Sequence, residues 1–292
     1  EMARASYQEY SNFKDIIGFD NKFVKRDCLY TVNSFNELSN RVKEHNNRGF
    51  KVDIINPNED ESNFEFLCDE SNLVIHDYNA GYMNPTLTCR GYAQGAVILG
   101  GTLLEFTYVE KFIDKNGLCF AVETNKGIFK ARQFVITVGA EGYGLLKNID
   151  DANKYRNKLI QYVKAHAQWE KKPPLLPIYL NEVSGFYLRP IAEDFFMIGK
   201  VIDEWDLDLN NLPKISCKEK ESIRTYFENN INECTSLSIV EEVVAYDLYT
   251  ESRVGVFKTS KKYANCLIAT GWSGQGFKIA PSIARKITKE LM

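Results

Sequence analysis

Residues 271–276 read Gly-Trp-Ser-Gly-Gln-Gly and lie between a short apolar run, 263–270, and an apolar-periodic stretch, 277–291. A strand that feeds such a turn and then a helix places unblocked backbone N–H groups and the positive helix end at one spot, which suits an electron-rich ligand. A tight strand-to-helix corner also needs glycines for steric reasons alone, so the turn by itself leaves both readings open. Arg189, in Tyr187-Leu-Arg-Pro190, has apolar neighbours, and a guanidinium there either clamps a carboxylate bidentately or closes a structural salt bridge. Tyr187 shares its strand face, within reach of the same group or simply in the core. His45, His76 and His166 lie far apart, without metal-ligand spacing or a serine or cysteine nucleophile signature beside them. They read as surface or satisfied core residues, and no metal is expected.

The elements that must position these residues follow from periodicity. Residues 6–17 have roughly helical spacing and stop at Gly18. Residues 23–32 are rich in β-formers; Asn33-Ser34, Glu37 and the periodic Leu38, Val42 and His45 then predict a capped helix that turns at Gly49. Residues 51–57 read as a strand and 58–72 as a polar, acidic loop with room for a short helix. Asn84-Pro85 precedes a helix at 86–94, and 96–112 reads as a β-rich stretch broken by Gly100-Gly101. Residues 119–124 and 127–131 form a hairpin pair around Asn125-Lys126, and the apolar run 133–138 suits a strand buried on both faces of an α/β sheet. Residues 154–172 are polar and weakly periodic, ending at Pro173-Pro174. Strand groups at 184–200 and 239–258 flank a helix over 218–232, and strand 263–270, the glycine turn and helix 277–291 close the chain.

The 292 residues, 44% hydrophobic and 13% aromatic, allow a sizeable core in one large or two interleaved domains. A net charge of -3, from 36 basic and 39 acidic residues spread along the chain, offers no nucleic-acid track and no membrane-surface patch. A small-molecule ligand is the better expectation. Seven cysteines, an odd number without CxxC spacing, fit reduced thiols and a cytoplasmic setting, with the mitochondrial matrix as the alternative. No apolar run approaches the roughly 18 to 20 residues of a membrane span, and the first residues show no leader pattern.

Gly271-Trp-Ser-Gly-Gln-Gly-Phe-Lys-Ile-Ala-Pro281 resembles the C-terminal flavin-ring motif, typically GFSGHGFKLAP, of the D-amino acid oxidase-like (DAO) family, which includes sarcosine oxidase, glycine oxidase and dimethylglycine dehydrogenase. Four more segments fall in that family's order. Gly81-Tyr-Met-Asn-Pro85 resembles its GGYVDP, and Thr107-Tyr-Val109 the strand end whose valine backbone meets the adenine. Gln133-Phe-Val-Ile-Thr-Val-Gly-Ala140 resembles the VVxAxGAW strand that runs up to the pyrophosphate. Gly185-Phe-Tyr-Leu-Arg-Pro190 with Phe196-Met-Ile-Gly199 resembles the YLRP…LLIGG pair bordering the active site.

The resemblance implies an α/β (mixed α+β) fold. A Rossmann-like FAD-binding region, 77–147 and 262–292, is interleaved with a substrate region on a mixed or antiparallel sheet, 1–76 and 148–261. Val109, Gly139, Ala140, Gly271, Trp272, Ser273, Gly274, Gln275, Gly276, Phe277 and Lys278 would contact the cofactor, with Lys278 near the N1/C2 carbonyl edge of the flavin. Arg189, Tyr187, Lys278, Asp247 and Met197 would border the substrate, an amino acid or a secondary or tertiary amine oxidised at its C–N bond. Matched without gaps, Asp247 stands where glycine oxidase has a carboxylate-binding arginine and monomeric sarcosine oxidase its flavin-linking cysteine, so non-covalent FAD is expected. Met197 stands where monomeric sarcosine oxidase has its oxygen-activating lysine, which leaves oxidase and dehydrogenase equally open. The family's opening βαβ unit with GxGxxG has no counterpart in the sequence; Gly139-Ala-Glu-Gly-Tyr-Gly144 follows a later strand and is a poor substitute. Weak FAD binding is therefore expected unless a second chain or further segment supplies that lobe. The alternative is an incomplete fragment or non-catalytic subunit that serves binding or assembly.

Overall fold

The structure, a computed structural model, describes residues 1–32, 34–56, 73–150, 155–171 and 175–292. Its centre is an eight-stranded mixed sheet in the spatial order Cys234–Thr250, Tyr155–Trp169, Phe195–Lys200, Phe186–Pro190, Ile178–Asn181, Cys28–Thr31, Val74–Asp77 and Val52–Ile55. The Ile178–Asn181 and Cys28–Thr31 neighbours run parallel, and the other pairs are antiparallel.

The two longest strands pair along nearly their whole length, from Tyr155 opposite Thr250 to Trp169 opposite Cys234. Along Tyr155–Trp169, Leu159, Val163, Ala165 and Ala167 are buried, while Ile160, Tyr162 and Lys164 between them are half-open. A strand's period of two thus gives the core one face and leaves the other for chemistry. Helix Cys217–Asn230 covers the core face with Ile223 and Phe227. It starts there because the Ser216 side chain accepts from the Glu219 N–H and the Glu219 carboxylate accepts from the Ser216 N–H, a capping box. The Phe227 ring packs on Phe196 and Trp169 at centroid distances of 5.5 and 6.5 Å.

A smaller sheet carries the glycine turn. Cys266–Thr270 pairs antiparallel with Val256–Thr259 and parallel with Phe134–Ile136, and it leads through the turn into helix Gly276–Leu291. A three-stranded meander, Val109–Lys115, Leu118–Thr124 and Gly127–Lys130, buries Cys119 against that sheet. Helix Met2–Ser11 lies along helix Gly276–Leu291.

Several elements depart from the sequence reading for local reasons. Residues 96–98 continue the helix Pro85–Ile98 instead of opening a strand, since the Asn84 side chain caps the helix at the Leu87 N–H and nothing stops it before Gly100, at φ +90°. The run expected to be buried on both faces shortens to Phe134–Ile136 at a sheet edge, with Val135 36% exposed. The single strand expected at 23–32 splits into Val24–Lys25, paired with Gly81–Tyr82, and Cys28–Thr31 in the large sheet. Residues 6–17 form two helices, Met2–Ser11 and Phe13–Ile17. The polar stretch 154–172 contributes a strand, and Val74–Asp77 adds one that its periodicity does not single out. Helix Phe35–Asn47, with its Ser34 cap, and the hairpin at Asn125-Lys126 agree with expectation. The expectations for Asn33, Pro57, residues 58–72, Cys68 and Pro173-Pro174 lie outside the described residues.

Phe227, 1% exposed, joins helix to sheet. Phe227→Ala should cost about 3–5 kcal/mol, read as a lower urea midpoint at unchanged slope. A loss below about 1 kcal/mol would mean that this helix does not seal the core face.

Candidate functional site

The glycine turn is stitched to the end of the longest strand. The Ser273 N–H donates to the Leu248 carbonyl at 3.2 Å, and the Ser273 hydroxyl accepts from the Thr250 N–H at 3.3 Å. Ser273 holds φ +52° and is 8% exposed, so the stitch enforces a left-handed conformation on a non-glycine residue. Gly274, at φ +79°, then passes so close that an added Cβ would sit 3.1 Å from the Tyr249 hydroxyl and 3.6 Å from Asp247 Oδ2. Glycine is required there by both conformation and space. Trp272 packs with Ala269, Ile279 and Ile283, a structural role beneath the turn.

Helix Gly276–Leu291 starts at Gln275 without a side-chain cap. The N–H groups of Gly276, Phe277 and Lys278 therefore keep their donor capacity, and the helix dipole adds positive potential. Lys278 is exposed beside them, and its charge reaches the buried Cys28 thiol, which burial nonetheless pushes up to about 12. Gly139 is exposed with open space where a Cβ would stand, Ala140 is buried, and Val109 is half-buried at the start of the meander.

The second half of the site is the open face of the large sheet. Directly opposed residues in antiparallel strands share a face. The pairings Arg189–Met197, Met197–Lys164, Tyr187–Gly199 and Gly199–Tyr162 therefore place Arg189, Tyr187, Met197 and Tyr162 together. Lys158 opposite Asp247 and Arg156 opposite Tyr249 extend the same face toward the glycine turn. Gly199 lets the Tyr187 ring lie across the sheet, since a Cβ there would meet it at 2.3 Å. The Tyr187 hydroxyl donates to the Gln161 carbonyl at 3.1 Å. Burial first, then Tyr162, Asp247 and Tyr249, push its pKa upward, so it stays a donor.

Arg189 is half-buried, and no carboxylate pairs with it among the described residues. The Tyr82 ring lies 4.8 Å from the guanidinium carbon, and the nearest polar contacts are the Pro190 carbonyl at 3.5 Å and Met197 Sδ at 3.9 Å. Burial pushes its pKa down, with Tyr82 and Tyr162 opposing. A cation in this position is costly until an anion arrives. Asp247 is the mirror case: burial alone pushes its carboxyl up. Its cross-strand neighbour Lys158 does not pair with it, its amine lying over Trp205 at 4.9 Å and 3.8 Å from Asp203.

Sequence reasoning missed Tyr82, Tyr162 and Tyr249. Strand register brings Tyr162 and Tyr249 to this face, and the contact with Arg189 brings Tyr82 to it from a separate two-stranded ribbon; the available signal was the alternation of Val163, Ala165 and Ala167 with Tyr162, Lys164 and His166. The three histidines lie elsewhere: His76 is buried against Asp27 at 2.9 Å, His45 meets the Tyr30 hydroxyl at 3.3 Å, and His166 faces Asp194 at 3.5 Å. A cleft of about 540 Å³ beside helix Cys217–Asn230, lined by Phe186 and Tyr226, is on the sheet's core side and holds none of the candidate residues. No group of three or more potential metal ligands occurs among the described residues.

The uncapped helix, the Gly274 passage and the exposed Lys278 amine fit the electron-rich carbonyl edge of a flavin ring. Gly139 and Ala140 offer backbone beyond it. No strand–GxGxxG–helix unit that would cradle a pyrophosphate occurs among the described residues. The residues at the glycine turn thus fit the ring half of FAD.

A family model described as FAD dependent oxidoreductase (DAO) matches residues 1–290. A search of curated proteins finds no match. Among solved structures, L-proline dehydrogenase from P. horikoshii superposes with a TM-score of 0.81 at 22% identity, over 99% of this chain and 78% of that one. Glycine oxidase from Geobacillus kaustophilus superposes with a TM-score of 0.81 at 15% identity, over 98% and 77% of the two chains. L-amino acid deaminase from Proteus vulgaris superposes with a TM-score of 0.75 at 14% identity, over 95% and 77%. At these identities the superpositions establish the fold. With the family model running over almost its whole length, the chain belongs to the DAO family of FAD-dependent oxidoreductases.

Proposed function

We propose that the chain oxidises the C–N bond of a small amino acid or secondary or tertiary amine, sarcosine- or glycine-like, with non-covalently held FAD. The observation that carries this reading is Arg189, a half-buried guanidinium without a carboxylate partner among the described residues, on the same sheet face as Asp247. When bound, the cofactor supplies acceptance of a hydride from the carbon that bears the nitrogen. Arg189 binds the substrate carboxylate, and the rings of Tyr82 and Tyr162 with Met197 exclude water around that pair. Tyr187, held by its bond to Gln161, fixes the floor beneath it. Asp247 Oδ2 lies beside the glycine turn, further along the same face than one small substrate held at Arg189 would reach, where a carboxylate with a raised pKa is a base for a proton released on the cofactor side. Lys278 and the first-turn N–H groups place positive potential at the flavin carbonyl edge. The work divides between residues 77–147 with 262–292 on the cofactor side and residues 1–76 with 148–261 on the substrate side.

Glycine oxidase and iminodiacetate oxidase among the structural neighbours are consistent with that substrate class. Asp247 in place of a linking cysteine, and a Cys28 thiol made unreactive by burial, support non-covalent attachment. Met197, in place of a lysine, leaves oxygen and another acceptor, such as a second chain, as alternatives.

A second reading, in which this chain is one part of an assembly or a binding subunit, is favoured by exposed apolar side chains. Val97, Ile98, Leu99, Leu103, Leu104, Phe106, Tyr108, Phe120 and Ile128 are all at least 44% exposed, and Phe134–Ile136 has a free edge. Soluble proteins seldom leave so much apolar surface bare. No helix among the described residues is long and apolar enough to cross a membrane. In this reading a second polypeptide or further segment completes the nucleotide lobe.

Purified chain titrated with FAD should show visible flavin absorption that bleaches anaerobically with glycine, sarcosine or proline. Bound flavin that no amine bleaches overturns the catalytic reading and leaves the binding subunit. Arg189→Met should raise thermal stability while raising KM for carboxylated amines by about 10- to 150-fold, the loss of one charge-assisted contact of about 1.5–3 kcal/mol. An unchanged KM sinks the clamp. Because the folded Asp247 pKa is raised, its ionisation opposes folding as pH rises through that value. Asp247→Asn should match the parent's stability in acid and exceed it at neutral pH; a constant offset across pH excludes a desolvated carboxyl.

A further inference from the structure

Helix Gly276–Leu291 contains Pro281, which has no N–H for the carbonyl four residues back and whose ring crowds that carbonyl. The carbonyl belongs to Phe277, in the first turn, next to Lys278. It is not left bare, because the Tyr10 hydroxyl donates to it at 2.5 Å. The two rings stack at 5.4 Å with an interplanar angle of 12°. One residue beyond the proline, the Ser282 N–H donates to Ser6 Oγ at 3.3 Å, and the Ser282 hydroxyl donates to the Met2 carbonyl at 2.8 Å. Ser6 and Tyr10 are 0% and 3% exposed. Glu9 pairs with Arg285 and accepts from the Tyr92 hydroxyl at 2.6 Å, tying the two helices to a third.

We propose that helix Met2–Ser11 is a splint across the break at Pro281, and that Tyr10 and Ser6 are positioning residues for the first-turn N–H groups and Lys278. The assignment of a flavin edge to that turn rests on the function proposed above; the splint itself rests on the hydrogen bonds. A proline this early detaches one turn from the helix that should orient it. Tyr10 supplies a donor where the main chain has none, and Ser6 supplies an acceptor for the next N–H. Burial raises the Tyr10 pKa, so the donor is present at any working pH. The turn that meets the ligand is thereby aimed by the opposite end of the chain, 267 residues away in sequence.

The test is a cycle of Tyr10→Phe, Pro281→Ala and the double variant in the full chain. Tyr10→Phe keeps the ring stack and removes the donor; Pro281→Ala restores a main-chain donor to the Phe277 carbonyl. Amide hydrogen exchange at Ala280, Ser282 and Ile283 should rise about tenfold in Tyr10→Phe relative to Ala165 and Ala167 in the large sheet, and return to within about threefold in the double variant. The dissociation constant for added FAD should rise and recover in parallel. Unchanged exchange in Tyr10→Phe, a uniform rise across the chain, or no recovery in the double variant overturns the splint. If no form of the chain binds FAD, the flavin assignment falls while the exchange pattern still decides the splint.

Discussion

The register between Tyr155–Trp169 and Cys234–Thr250 is the constraint on which both core and site depend. Side-chain direction alternates at every residue, so a slip of one position would send Leu159 and Val163 to the open face and Tyr162 into the core. Length protects the pairing, since many simultaneous mismatches would accompany any slip. The capped helix over Ile223 and Phe227 accepts only one of the two faces, and what it rejects becomes the site.

From that register the two opposite charges follow. Arg189 and Asp247 belong to strands separated by two others, and neither forms an ion pair among the described residues. Folding leaves both uncompensated, a cost that core burial elsewhere offsets. Strained charges of this kind are what the proposed ligand role of the two residues rests on.

The glycine turn, the final helix, the capped helix at Phe35–Asn47 and the Arg189 segment were legible in the sequence because each depends on chemistry within a few residues. Val97 and Ile98 misled because β-branched residues are tolerated in a helix whose start is well capped. Residues 155–169 hid their strand because an arginine, two lysines, a tyrosine, a histidine and a glutamine occupy even positions, and Ile160 and Gln161 interrupt the alternation. Tyr249 reaches the site through its pairing with Arg156 and Tyr82 through its contact with Arg189, distant partners that no local pattern encodes. The link between Tyr10 and Phe277 was equally invisible, although Pro281 marked where a donor would be missing.

Tyr82, which stacks on Arg189, stands in the two-residue strand Gly81–Tyr82, paired among the described residues with Val24–Lys25, outside the three larger sheets. A ribbon with two register pairs costs less to separate than an eight-stranded sheet. The ring over Arg189 and the strand that carries Arg189 therefore belong to different sheets. If Arg189 holds a carboxylate as proposed, opening of that ribbon would admit and release it while the guanidinium kept its place on the eight-stranded sheet.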